Sequence, residues 1–156
     1  MLSAGIKQRI NSTYAQYNDG TVELEARVGH LTNRGFKPGV SREVFNRIKQ
    51  YFDQRAGAVE TKTTDYIGKI NNQNVRKTVT VPTDNTTQPQ TIWITKDRLW
   101  NQEDKNYGVR YSMSREVPIQ PVPNFVPDVI REKNRYSYSV FNGCLLYTSP
   151  SPRDRS

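Results

Sequence analysis

Helical spacing at the start of the chain gives way to alternating polar and apolar positions. Apolar residues recur at steps of three and four over residues 2–17, and again over 42–53 after a predicted N-cap at Ser41. From residue 59 onward almost every segment has the pattern of a strand. The predicted strands span 59–68, 73–82, 90–100, 106–118 and 130–141. Many consecutive strands with short connections indicate a mainly β fold, an antiparallel sheet or barrel with flanking helices.

The connections between these elements are marked by polar, glycine and proline residues. Turns are predicted at 18–20 and 71–72, and loops at 35–41, 84–87 and 101–105. The segment from Pro118 to Pro127 holds four prolines, so it is predicted to be an irregular connection.

The predicted strand 21–29 has one apolar and one charged face. The charged face carries Glu23, Glu25 and Arg27. Side chains two residues apart on a strand share a face and lie about 7 Å apart. Two carboxylates at that spacing can bind one divalent cation, and the arginine can bind a phosphate oxygen. A solvated strand face has the same alternation, so this pattern alone leaves both interpretations open.

Three later strands each carry a face rich in cationic or hydroxyl side chains. Those faces hold Arg76, Thr78 and Thr80; Arg110, Ser112, Ser114 and Glu116; and Arg131, Lys133, Arg135 and Ser137. Each one alone is also explained as a solvated edge. A compact sandwich cannot bury such charges unpaired, whereas a barrel with a hydrated lumen can accept them. Taken together, the four polar faces predict the wall of an anion-binding tunnel.

The net charge and the residue counts limit the partners and the metal ligands that this chain can have. A net charge of +8 and a pI near 9.7 favour a polyanionic partner, such as nucleic acid, polyphosphate or an anionic membrane surface. One histidine, His30, and one cysteine, Cys144, exclude metal sites built from those residue types. A metal would therefore be held by carboxylates, which suit Mg²⁺ or Mn²⁺. We expect His30 to lie at the surface.

Several other functional classes lack their sequence signatures. No phosphate-binding glycine loop of the Gly-x-x-x-x-Gly-Lys-[Ser/Thr] type occurs in the sequence. We also expect no signal peptide, because residues 1–20 have no apolar core, and no membrane helix.

The last thirteen residues, 144–156, differ in character from the preceding chain. They resemble a translated sequencing adapter, and a natural Ser/Pro/Arg-rich tail is the alternative. We therefore expect residues 1–143 to be one partial domain and residues 144–156 to be non-native.

The segment 22–29, Val-Glu-Leu-Glu-Ala-Arg-Val-Gly, resembles the first metal-binding strand of the fungal and viral RNA triphosphatases, members of the triphosphate tunnel metalloenzymes. The resemblance continues in the expected order through 37–41, 64–66, 75–78, 94–99, 107–118 and 131–137. It implies an antiparallel triphosphate-tunnel β-barrel, incomplete in this chain. It also implies metal-dependent hydrolysis of the γ-phosphate from the 5′-triphosphate end of nascent mRNA, the first step of cap formation.

The resemblance also assigns roles to individual residues. Glu23 and Glu25 would bind Mg²⁺ or Mn²⁺, and Glu116 would position or activate the attacking water. Arg76, Lys133 and Arg135 would act on the triphosphate as catalytic and substrate-binding residues. The expected substrate-binding set is completed by Arg27, Lys96 and Arg110.

One departure from the family pattern limits these expectations. The family has a later strand with a second Glu-x-Glu motif that completes the metal site, and nothing after Arg135 supplies it. We therefore expect the parent protein to be active and this chain to be inactive. Two other functions stay open: a small-molecule tri- or polyphosphatase of the same superfamily, and a noncatalytic basic β-module that binds RNA.

The family also implies partners and a location. The expected ligands are RNA 5′-triphosphate ends and nucleoside triphosphates. The expected protein partner is an mRNA guanylyltransferase, fused or separate, and no membrane is involved. The location would be intracellular: the nucleus for a cellular protein, and the viral factory, cytoplasm or virion for a viral one.

Overall fold

The computed structural model describes residues 2–82, 88–140, 143–148 and 154–155. The two helices are α1 (Ala4–Gln16) and α2 (Arg42–Asp53). The strands are β1 (Val22–Thr32), β2 (Gly35–Pro38), β3 (Ala58–Ile70), β4 (Gln73–Pro82), β5 (Gln90–Asp104), β6 (Val109–Pro118), β7 (Val129–Val140), β8 (Gly143–Thr148) and β9 (Asp154–Arg155). The prediction of a mainly β chain with flanking helices is confirmed. In the described part of the chain, neither helix is long and apolar enough to cross a membrane.

The chain divides into two compact units, and every strand pair whose register is known is antiparallel. The first unit comprises residues 1–39 and 94–119, and its strand order is β2-β1-β6-β5. The second comprises residues 40–93 and 120–156, with the order β4-β3-β7-β8, and β9 also pairs with β7. Strand β5 begins in the second unit and continues in the first from residue 94.

Two predicted loops are wrong. Half of the loop at 35–41 is strand β2, because a tight turn lets residues 35–38 fold back onto β1. Gly29 permits this approach, since a Cβ there would lie 2.2 Å from the carbonyl oxygen of Lys37. The polar run at 101–105 continues strand β5 as far as Asp104, after a bulge between Arg98 and Trp100.

Other predicted connections agree with the structure. The turn at 71–72 is confirmed, with positive φ at both asparagines as a tight hairpin turn requires. The proline-rich segment is an irregular connection, as predicted. The predicted loop at 84–87 lies outside the described residues. Within the tail predicted to be non-native, the structure describes only the backbone of 144–148 and 154–155. Both stretches pair with β7 in antiparallel fashion.

Helix α1 covers the apolar face of the first unit. Ser3 caps it by accepting a hydrogen bond from the Ile6 backbone amide at 3.3 Å. Ile6 and Ile10 pack on the fully buried Met113 of β6. Burial of each of these side chains contributes about 2 kcal/mol. Tyr14 also lies at helical spacing from Ile6 and Ile10, but its side chain is exposed.

Thr13 is the buried residue of α1 in the turn after Ile10. Its hydroxyl oxygen accepts a hydrogen bond from the Trp100 indole at 2.8 Å, and the residue is buried. The apolar face of β1 is only partly covered, because Val22 packs against this core while Leu24 and Val28 stay exposed.

Helix α2 packs on β7 in the second unit. Ser41 caps it, as predicted, by accepting from the Val44 amide at 3.2 Å. The fully buried Tyr138 contacts Phe52, with ring centroids 5.5 Å apart, and donates a hydrogen bond to Asp53 at 2.7 Å. This contact joins the C-terminal end of the helix to the strand that carries Lys133 and Arg135.

Candidate active site

The acidic motif of β1 lies on the polar face of the first unit. Glu23 lies opposite Ser114 of β6, and Glu25 lies opposite Ser112. Both serines are buried. Small side chains at these two positions leave the space above the sheet to the carboxylates. The predicted faces of β1 and β6 therefore occur side by side in the structure.

Lys96 joins two of the acidic residues. Its Nζ lies 2.7 Å from Oε2 of Glu23 and 3.1 Å from Oε1 of Glu116. The alignment of strands explains the contact, because Lys96 on β5 lies directly opposite Glu116 on β6. The lysine side chain is 27% exposed, so the cluster remains accessible from solvent. Three predicted site residues from three strands therefore meet at one ammonium group.

The two arginines of this face have carboxylate partners of their own. Nε of Arg27 lies 2.6 Å from Oε1 of Glu25, on the same strand. Arg110 donates two hydrogen bonds to one oxygen of Glu103, at 2.6 and 2.9 Å, and its guanidinium lies 4.7 Å from the centre of the Phe36 ring. Arg110 is thus held at the sheet surface by Glu103, and its role in substrate binding stays a prediction.

A carboxylate-bound metal fits the chemistry of this cluster. Glu23 and Glu116 already direct one oxygen each at a single cationic atom. Carboxylate oxygens are the ligands that Mg²⁺ and Mn²⁺ prefer. Within the described residues, however, no group of three metal-ligating side chains is assembled. The residues present can therefore supply part of a metal site.

A second polar face lies in the other unit, around strand β3. Lys133 of β7 lies opposite Thr63, and Arg135 lies opposite Thr61. On the other side of β3, Arg76 of β4 lies opposite Ile67, and Thr78 lies opposite Asp65. The cationic faces predicted for β4 and β7 therefore flank one strand, with Asp65 at its centre.

Asp65 is the residue that the sequence analysis missed. Its side chain is 1% exposed, and its Oδ2 lies 2.8 Å from Nζ of Lys133, which is 13% exposed. Its other oxygen accepts a hydrogen bond from the Thr78 hydroxyl at 2.7 Å. The available signal was one acid on the strand face that also carries Thr61 and Thr63, between two cationic faces. That signal depends on the order of strands, which the sequence pattern did not provide.

The protonation of this pair is set by two opposing effects. Burial alone would raise the pKa of Asp65, but the hydrogen bond and charge of Lys133, with Thr78 and Arg76, outweigh it and lower the pKa. For Lys133, burial is the larger effect, and with the charges of Arg135 and Arg131 it lowers the pKa despite Asp65. The result is a buried carboxylate that fixes the lysine in place.

Nε of Arg135 and Oγ1 of Thr63 are among the buried polar atoms of this face that have no hydrogen-bond partner within the described part of the chain. Buried donors of this kind are normally satisfied by protein, water or ligand. Arg135 is therefore able to bind an anion through a donor that no described residue satisfies.

Exposed aromatic residues, which a noncatalytic binder of single-stranded RNA would need, are few on these faces. Tyr111 packs against the core of the first unit, and Tyr136 lies under the Lys49 ammonium at 4.6 Å. Tyr107 differs and is exposed in the turn before β6. His30 is exposed, as predicted.

Solved structures with the same fold are known, although no protein-family model and no curated protein matches the sequence. The RNA triphosphatase Pct1 of S. pombe, in complex with the Spt5 CTD, aligns over 99% of this chain and 76% of its own, with a TM-score of 0.71 and 17% identity. The RNA triphosphatase domain of a trifunctional mimivirus mRNA capping enzyme aligns over 96% and 80%, with a TM-score of 0.60 and 13% identity. The chain therefore has the triphosphate-tunnel fold of the fungal and viral RNA triphosphatases.

Proposed function

We propose that this protein hydrolyses the γ-phosphate from the 5′-triphosphate end of nascent mRNA, with a divalent metal, as the first step of cap formation. The observation that carries the proposal is the meeting of Glu23, Glu116 and Lys96 at 2.7 and 3.1 Å on the tunnel fold. Phosphoanhydride hydrolysis requires charge neutralisation and an in-line water more than covalent help from the protein. Carboxylates and cations arranged in this way supply both requirements.

In this proposal Glu23 and Glu25 hold Mg²⁺ or Mn²⁺. A bound ion would act as a Lewis acid on a γ-phosphate oxygen. Arg27 keeps Glu25 oriented through the 2.6 Å ion pair on the same strand. The ordered donor pair supports the assignment, because carboxylates that already bind a cation need little rearrangement to bind another.

The negative charge that develops on the phosphates is stabilised by Arg76, Lys133 and Arg135, with Lys96, Arg27 and Arg110 as further contacts. Asp65 is a positioning residue in this scheme, since it holds Lys133 at 2.8 Å. The available Nε donor of Arg135 supports a direct contact with a phosphate oxygen.

Glu116 orients the attacking water and takes its proton as the bond from the γ-phosphorus to the β-bridging oxygen breaks. The products are inorganic phosphate and an RNA with a 5′-diphosphate end. In the absence of metal, Lys96 lies 3.1 Å from the carboxylate and holds Glu116 in place on the sheet.

We further propose that an mRNA guanylyltransferase, fused or separate, uses this diphosphate end, and that the protein acts where capping occurs. This would be the nucleus in a cell, or the viral factory, cytoplasm or virion of a virus. We also retain the proposal that residues 144–156 are adapter-derived and that the chain alone is inactive.

Release of γ-³²P from labelled triphosphate RNA and from ATP, with Mg²⁺ or Mn²⁺, tests the function. The protein for this assay is the chain continued by its own reading frame beyond Gly143, with Glu23→Gln as the inactive control. We expect the unaltered protein to release γ-³²P from the RNA and the Glu23→Gln variant to release none. Equal preference for ATP and short polyphosphates would favour the small-molecule phosphatase. RNA binding with no release would favour the noncatalytic module.

A further inference from the structure

The ammonium of Lys96 lies where the proposed function requires a different cation. Its Nζ contacts Glu23 Oε2 at 2.7 Å and Glu116 Oε1 at 3.1 Å. The proposal assigns the first carboxylate to the metal and the second to the attacking water. Lys96 therefore occupies the position between the metal ligand and the water-activating acid.

Two carboxylates that face each other repel unless a positive charge lies between them. A Mg²⁺ or Mn²⁺ ion binds carboxylate oxygens at about 2.0–2.2 Å. An ammonium at 2.7 Å from the same oxygen would then lie only about 3–5 Å from the metal, where the two cations repel strongly. The ion and the ammonium therefore oppose each other at the Glu23 oxygen in this arrangement.

The other cations of the first unit are differently placed. Arg27 pairs with Glu25, Arg110 pairs with Glu103, and Arg115 lies 3.0 Å from Asp19. Lys96, in contrast, contacts both Glu23 and Glu116. A lysine is also suited to exchange, because its charge is compact and its four-carbon stem is flexible.

We propose that Lys96 is a resident counter-ion of Glu23 and Glu116, which competes with the divalent metal for the Glu23 carboxylate. When the metal binds, the lysine is released to contact a phosphate oxygen. Metal and phosphate then bind with positive coupling. The metal releases the lysine to contact the phosphate, and the phosphate draws the lysine away from the carboxylate that binds the metal. This inference rests on the proposed function, and it assigns to Lys96 control of metal affinity in addition to substrate contact.

The test measures Mn²⁺ binding to the full chain, by the electron paramagnetic resonance signal of unbound Mn²⁺. The variant is Lys96→Met, which keeps the length of the side chain and removes its charge. The matched control is Lys105→Met, because Lys105 is exposed in the turn after β5 and its loss changes the net charge equally. We expect Lys96→Met to tighten Mn²⁺ binding at least tenfold and Lys105→Met to change it less than twofold.

Two further variants locate the effect. Adding Glu23→Gln to Lys96→Met should abolish the gain in affinity, whereas Lys96→Arg, which retains the charge, should bind Mn²⁺ within threefold of the unaltered chain. In calorimetry, Mn²⁺ should tighten the binding of sulfate, used as a phosphate analogue, more in the unaltered chain than in Lys96→Met. If Lys96→Met does not fold, as judged by circular dichroism, Lys96→Gln replaces it.

Unchanged or weaker Mn²⁺ binding by Lys96→Met, or equal tightening by Lys105→Met, would overturn the inference. Failure of the proposed function has a separate signature: the unaltered chain would bind RNA with a 5′-triphosphate no better than RNA with a 5′-hydroxyl. A preference for the triphosphate with no effect of Lys96 on Mn²⁺ would reject only the role of Lys96.

Discussion

Each of the two units has a lysine bound to carboxylate on its polar face, but the two clusters differ in burial and in charge. In the first unit, one lysine faces two carboxylates, and all three side chains are 24–38% exposed. In the second, Lys133 and Asp65 are 13% and 1% exposed, and further cations flank them. Water can replace a lost partner in the first cluster but not in the second. The first is therefore suited to exchange one cation for another, and the second to hold cations fixed.

Asp65→Asn should produce the largest effect, because it leaves Lys133 buried without a carboxylate. We expect the free energy of unfolding to fall by roughly 3–5 kcal/mol. Urea denaturation measures this loss, and Asp97→Asn is the control, since Asp97 is an exposed acid whose change should cost less than about 0.5 kcal/mol. Equal losses from the two substitutions would remove the distinction between the clusters.

Arg135→Gln should weaken binding of triphosphate RNA by about tenfold to hundredfold. The reason is the loss of a charge-assisted hydrogen bond worth about 1.5–3 kcal/mol. Fluorescence anisotropy with a labelled 5′-triphosphate RNA measures the change. Arg47→Gln on α2 removes an equal charge from an exposed pair with Glu43 and should have little effect. If both variants weaken binding alike, Arg135 contributes only general charge.

The acid dependence of stability should also separate the clusters. The pKa of Asp65 lies below its ordinary value of 3.8, so the unfolded chain takes up its proton first as the pH falls. The stability that Asp65 contributes is therefore present above this ordinary pKa and is lost as the pH falls through the folded value. Unfolding at pH 7 and at stepwise lower pH, compared with Asp65→Asn, measures this contribution. A steeper acid loss in Asp65→Asn than in the unaltered chain would contradict the assignment.

Lys96→Met should have a smaller effect on stability than Asp65→Asn, about 1 kcal/mol or less, because Glu23 and Glu116 can be hydrated. Urea denaturation without added metal tests this. A loss as large as that expected for Asp65→Asn would mean that the first cluster is structural and not exchangeable.

Removal of the exposed pair between Arg27 and Glu25 should have the smallest effect. The two side chains are 43% and 35% exposed, and such pairs contribute about 0–1 kcal/mol. We expect Arg27→Gln to change the free energy of unfolding by less than about 0.5 kcal/mol, as measured by thermal or urea unfolding. A larger loss would show that Arg27 has a structural role beyond this pair.

The sequence pattern was sufficient to assign side chains to strand faces, but not to predict which strands pair with each other. Period-two alternation placed Glu23 and Glu25 on one face and Lys133 and Arg135 on another, and the strand registers agree. The contact of Lys96 with Glu116 depends on the pairing of β5 with β6, which alternation within one strand cannot reveal.

The missed and wrong elements have related causes. Asp65 is the only acid on its face of β3, so no local pattern marks it, and the cations of two neighbouring strands explain its burial. Strand β2 was predicted as loop because its glycine and proline resemble turn residues, although backbone pairing with β1 decides its structure. The polar end of β5 was predicted as loop because its residues are charged or amide-bearing. It is strand because such residues pair across strands, as Glu103 does with Arg110.

The most direct measurement is the affinity of the chain, in Mn²⁺, for two RNAs of identical sequence that carry either a 5′-triphosphate or a 5′-hydroxyl. We predict at least tenfold tighter binding of the triphosphate form, and loss of this preference in Arg135→Gln. Equal affinity for the two RNAs would contradict the proposal that the cationic face recognises the 5′-triphosphate end.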